Sequence, residues 1–249
     1  MAVTFCLRLA AGLILMLPIL NPSVIPPRFY RVHFLTALGL LAVVGILFHD
    51  TATLGFWLIY GVAALACIAG SIVWHLDEAP GGIITVIVTP IVLTACLVYG
   101  GMLARGDADT PLRVIDDLAG ALVLGSATTA MLMGHSYLIS PAMTISPLMR
   151  LLAALAAATV VRIALACVGL WLWTAHRTTS NLETELLVML PVRWGLGLIA
   201  PLVLGWMAWE TARIRSTQSA TGILYVVVIV GFLGELMSQL LMEKTGFIL

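Results

Sequence analysis

Residues 54–74 read LGFWLIYGVAALACIAGSIVW, a run without a single charged side chain. Crossing the hydrocarbon layer of a bilayer takes about 20 predominantly apolar residues in a helix, and this run is long enough. Backbone groups surrounded by lipid must be satisfied within the segment itself. A helix does that; a barrel strand would instead show short alternating segments. Comparable runs flank it at 4–20, 32–48, 83–103, 117–138, 148–174, 186–210 and 218–242. The expected fold class is therefore all-α, a polytopic transmembrane helical bundle of about eight transmembrane helices.

Composition excludes the soluble classes. Hydrophobic residues make up 61% of the chain and charged residues 10%, with a mean hydropathy of +1.11. A soluble domain is about 45–50% apolar and roughly 25% charged, so this chain lacks the charge for a polar skin. The intervening polar stretches are too short to fold alone, and no repeat is evident. Residues 1–249 are expected to form a single integral membrane domain with no soluble domain. The formal charge is zero, which offers no field to attract nucleic acid. Cys6, Cys67, Cys96 and Cys167 all lie in apolar runs and form no CxxC pair, so they read as small hydrophobes. Arg8 and the apolar run after it loosely resemble a signal peptide. Asn21-Pro22-Ser23 is no small-x-small cleavage site, however, and the segment reads as a retained first helix, with a cleaved signal as the alternative.

An even number of crossings puts both termini on one side, face A. Arg105, Arg113, Arg177 and Lys244 fall there, against Arg28, Arg31, Arg150, Arg213 and Arg215 on the opposite face B. Asp50, Asp107, Asp109, Asp116, Asp117, Glu183, Glu185 and Glu243 also fall on face A, against Asp77, Glu78 and Glu210 on face B. Positive residues mark the cytoplasmic side, and the small difference leans toward face B, leaving the termini outside a bacterial-type inner membrane. Asp107, Asp109, Asp116 and Asp117 match no cation-loop spacing and read as a solvated acidic face with Arg105 and Arg113.

Ionisable residues at depth carry the chemistry, because each costs about 2.5–3.5 kcal/mol on insertion scales unless paired. Arg162, Arg193 and Glu235 qualify. At about 1.5 Å per residue, Arg162 lies about 20 Å below face B, and Arg193 and Glu235 about 10 Å below face A. The depths nearly coincide, so Glu235 is expected to pair with Arg162, Arg193 or both. Two arginines on one carboxylate would leave a positive surplus suited to an anionic or carbonyl-bearing ligand. A structural ion pair locking three helices is the plainer alternative.

A second group gathers at face B. His33 opens the second run, and His135, Ser136 and Tyr137 close the fifth, followed by a turn between Pro141 and Pro147 and then Arg150. Imidazole can hydrogen-bond a quinone, shuttle a proton or ligate haem iron, and the hydroxyls can donate to a carbonyl. His135, Ser136, Tyr137, His33 and Arg150 are thus the quinone-binding candidates. A bis-histidine haem on His33 and His135 is a further alternative, although such ligands normally lie deeper. Headgroup anchoring is the structural one. No other metal site is expected.

Phe232-Leu233-Gly234-Glu235-Leu236 resembles the Gly-Glu-Leu end of the last helix in polytopic quinol-interacting anchor subunits, such as those of the DMSO reductase type. The resemblance implies a membrane subunit of a respiratory complex, in contact with other subunits and with quinone or quinol. Ser238-Gln239 stand where those anchors carry an arginine, so no residue roles follow. No nucleophile elbow, phosphate loop or dinucleotide fingerprint is present. The remaining function classes are a quinol-handling or redox-anchoring subunit, a small transporter or channel, and an assembly subunit without a ligand.

Overall fold

The computed structural model describes residues 1–49, 52–76, 79–105, 110–140, 143–176 and 184–249. Among these the chain is mostly helical and forms no strand, and eight segments are long and apolar enough to span a membrane. The protein is an all-α, multi-pass membrane protein whose surface fits a lipid bilayer. Asp50, Asp77, Glu78, Asp107, Asp109, Pro141, Arg177 and Glu183, which entered the reading of the two faces, lie outside the described residues.

The helices are α1 (Ala2–Leu15), α2 (Pro27–Leu47), α3 (Leu54–Val73), α4 (Gly82–Arg105), α5 (Thr110–Ile139), α6 (Ser146–His176), α7 (Thr184–Trp194), α8 (Ala200–Arg213) and α9 (Thr217–Thr245). A 3₁₀ turn at Leu17–Ile19 extends α1, and a π turn at Gly195–Ile199 fuses α7 and α8 into one span. The π turn has a local cause. Pro201 has no N–H and its ring crowds the carbonyl four residues back, and the Ala200 N–H reaches five back to Gly195. Pro90 and Pro191 sit inside α4 and α7.

Contacts between elements arrange the spans as two rings of four. In the first, α1 packs on α2, α2 on α3, α3 on α4 and α4 back on α1. In the second, α5 packs on α6, α6 on α8, α8 on α9 and α9 back on α5. The rings meet mainly along α1 and α5. Burial follows: 67% of the α5 span and 61% of the first span lie inside the protein, against 22% for α3. The seam is close because Gly12 and Gly125 face each other backbone to backbone, leaving no room for a Cβ on either. A second glycine pair, Gly197 and Gly234, brings the π turn equally close to α9. Small residues permit such approaches in lipid, where packing replaces the hydrophobic drive between helices. Outward positions such as Ile46, Leu54, Ile91, Trp171 and Trp206 are exposed and apolar, as a lipid-facing surface requires.

Candidate functional sites at the seam between the two rings

Two polar sites lie on the seam, one toward each face. Toward face A is a buried charge layer built from five spans. Arg8 of α1 donates from Nε to Asp117 Oδ1 at 2.9 Å and from Nη2 to Asp116 Oδ2 and Asp117 Oδ1, each at 2.6 Å. Its Nη1 donates to Glu235 Oε1. Arg162 of α6 donates from Nη1 to Asp116 Oδ1 and to the Asp116 carbonyl at 3.1 Å. Its Nη2 reaches Glu235 Oε2 at 3.0 Å and Ser238 Oγ at 3.1 Å. Arg8, Asp116, Asp117, Arg162 and Glu235 are all buried. Gly120 makes the geometry possible, since a methyl there would stand 2.9 Å from both Arg8 Nη1 and Glu235 Oε1.

Glu235 pairs with Arg162, one of its two expected partners, and two other expectations change. Arg193 makes no ion pair with Glu235 among the described residues: its Nε donates to the Leu249 backbone oxygen at 3.1 Å and its Nη1 to the Gly234 carbonyl at 3.2 Å. Asp116 and Asp117 are not a solvated face; they are buried partners of Arg8 and Arg162. The positive surplus disappears, because Arg8, Arg162 and Arg193 are matched by Asp116, Asp117 and Glu235. The physical reason lies in a helix boundary. The fifth apolar run begins at residue 117, whereas α5 begins at Thr110, which carries both aspartates about two turns below the helix end. Arg8 is six residues into α1, at the same depth. At about 1.5 Å of rise per residue, the depth that marks Glu235 marks all three.

Toward face B, His33, His135 and Ser136 do come together, with Arg28, lining a cleft of about 440 Å³ between α2 and α5. Apart from Ser140 its walls are otherwise apolar, and it opens outward past Val32 and Ile139, which are 46% and 75% exposed. His33 is fully buried, and its Nδ1 lies 2.8 Å from the Phe29 carbonyl. A carbonyl can only accept, so Nδ1 carries the hydrogen and Nε2 is left as an acceptor. Nε2 has no partner among the described residues. The His135 ring is exposed, and the Ser136 hydroxyl donates to the Leu132 carbonyl at 2.9 Å.

The other two candidates stand elsewhere. Tyr137 is buried and donates to the Thr144 carbonyl at 2.6 Å, tying α5 to the turn before α6. Arg150 donates to the Ile19 carbonyl at 3.4 Å on the surface. Neither lines the cleft. Among the described residues no group of three or more His, Cys, Asp or Glu side chains is placed to hold a metal ion. Comparisons with family models, curated proteins and solved structures give no match.

Proposed function

We propose that this membrane protein is a quinol-interacting subunit of an electron-transfer complex, with the face B cleft as the quinol site. The observation that carries this reading is the His33 Nε2 acceptor, buried and without a partner among the described residues, in a largely apolar cleft that opens outward where lipid lies. A quinol reaches its site through the bilayer, presents flat apolar surface to the walls, and offers hydroxyls to an acceptor. His33 and His135 are the groups able to take those hydrogen bonds and, on oxidation, the two protons. The two electrons pass to a partner subunit carrying haem, flavin or iron–sulfur centres, so other subunits belong to this reading. Haem between the same two rings fits less well, because a haem plane needs a slot closed on both faces and this cleft is open on one.

The setting we propose is a bacterial-type inner membrane with face B toward the cytoplasm and the termini outside, following the small excess of arginines on face B. A transporter is the second reading. It is favoured by a vestibule on face A that reaches Arg8, although the charge layer closes its floor. The experiment is saturable binding of a short-chain quinol to the purified protein in lipid nanodiscs. His33→Phe and His135→Leu are each expected to weaken it about ten-fold, the effect of one lost hydrogen bond to a buried group. Binding unchanged in both variants, or no saturable binding to the parent, rejects the quinol site.

A further inference from the structure

A second site lies on the other side of the bundle and does not depend on the quinol reading. Between the face A ends of α1, α5 and α9 is a vestibule of about 340 Å³, lined by Thr4, Arg8, Arg113, Gln239 and Glu243 among others. Gln239 lies on the wall of the vestibule at 7% exposure, and neither its Oε1 nor its Nε2 has a partner among the described residues. A buried amide left unpaired at both ends is costly, and a native bundle normally satisfies such groups. The side chain therefore calls for something that enters from face A.

The charges around it narrow the choice. Each Arg8 nitrogen already donates to a carboxylate, and the layer beneath holds three arginines and three acids. The side chains at the mouth are one cation, Arg113, and one anion, Glu243, beside Met1. Neither the layer nor the side chains of the mouth leave a net charge to favour an ion. What remains unmet is one donor and one acceptor side by side on a planar amide, and their complement is another planar group with an acceptor beside a donor. We propose that the vestibule binds a small neutral carboxamide or urea-type solute, held by a two-bond amide pair to Gln239. The cavity, at the low end of ligand-site volumes, sets the size.

The test uses the full chain in nanodiscs with propionamide as probe, and propionate and propylammonium as its charged counterparts. Propionamide is expected to bind saturably, and Gln239→Leu to weaken it about ten-fold. Both charged analogues should bind at least as poorly as propionamide does to that variant. Gln239→Leu removes an unpaired buried amide, so its thermal midpoint without ligand should equal or exceed that of the parent. A Thr4→Cys variant keeps Gln239 and gives an independent reading, in which propionamide slows alkylation of the new thiol and propionate does not. Equal propionamide affinity with and without Gln239, preference for either charged analogue, or unprotected alkylation each overturns the proposal.

Discussion

Arg8 and Asp117 stand 109 positions apart in the chain and share two hydrogen bonds, from Nε and from Nη2 of the arginine onto a single oxygen, Oδ1, of the aspartate. Together with the contacts of Arg8 to Asp116 and Glu235, they tie the first ring of helices to the second inside the membrane. Van der Waals packing at the Gly12–Gly125 crossing holds the same seam nearby. The two candidate sites sit on this seam because it is where two closed rings leave polar groups that neither ring can satisfy alone.

Removing Arg8 should therefore loosen the two rings from each other. Arg8→Met takes from Asp116, Asp117 and Glu235 a cation that all three share, and an uncompensated buried charge costs about 3–5 kcal/mol. The expected outcome is a sharp fall in the thermal midpoint in detergent. Adding Asp117→Leu to Arg8→Met should recover part of the loss, since it removes a buried carboxylate that the first substitution deprives of Arg8. A double variant no more stable than Arg8→Met would show that the two side chains act independently.

The arginines of the layer should rank by what they touch. Arg162 faces two carboxylates, Asp116 and Glu235, whereas Arg193 donates to two backbone oxygens and keeps Nη2 unpartnered among the described residues. Arg162→Met is expected to cost about 3–5 kcal/mol and Arg193→Met about 1–3 kcal/mol. Glu235→Gln should also destabilise, because Glu235 accepts from both Arg8 and Arg162. Chemical or thermal unfolding of the three variants in one detergent gives the order; Arg193→Met as costly as Arg162→Met would contradict it.

Hydrophobic runs made the eight spans legible, since length and apolarity are local properties of the chain. Pairing of the rings was not legible: no sequence repeat marks the two sets of four, and only the contacts of α1 with α4 and α5 with α9 close them. His33, His135 and Ser136 were recoverable because they share one depth at one face. Tyr137 shares that depth too, but a helix turns about 100° per residue, which swings it away from Ser136 and the cleft. Arg8, Asp116 and Asp117 were lost for the opposite reason. They sit near run ends, where a boundary error of a few residues moves a side chain from solvent to core.

Tyr137 offers a check on the limits of the face B cleft. Its hydroxyl is buried on the Thr144 carbonyl, so Tyr137→Phe should lower stability by about 1 kcal/mol while leaving quinol binding unchanged. A variant that keeps its midpoint but loses the ligand would place Tyr137 in the site and redraw it.

Glycine substitutions separate the seam from the rest of the bundle. At Gly125 any Cβ would run into the backbone of Gly12, and backbone cannot give way as a flexible side chain can. At Gly61 on α3 no other atom lies within reach of an added methyl. Gly61→Ala should be neutral or stabilising by about 0.5–1 kcal/mol, because alanine loses less chain entropy in a helix. Gly125→Ala has the same propensity gain, yet it must push α1 away from α5 and with it Arg8 away from Asp117. Thermal unfolding of the two variants decides the matter: a clear loss for Gly125→Ala beside an unchanged Gly61→Ala locates the tight crossing at the seam, and equal behaviour denies it.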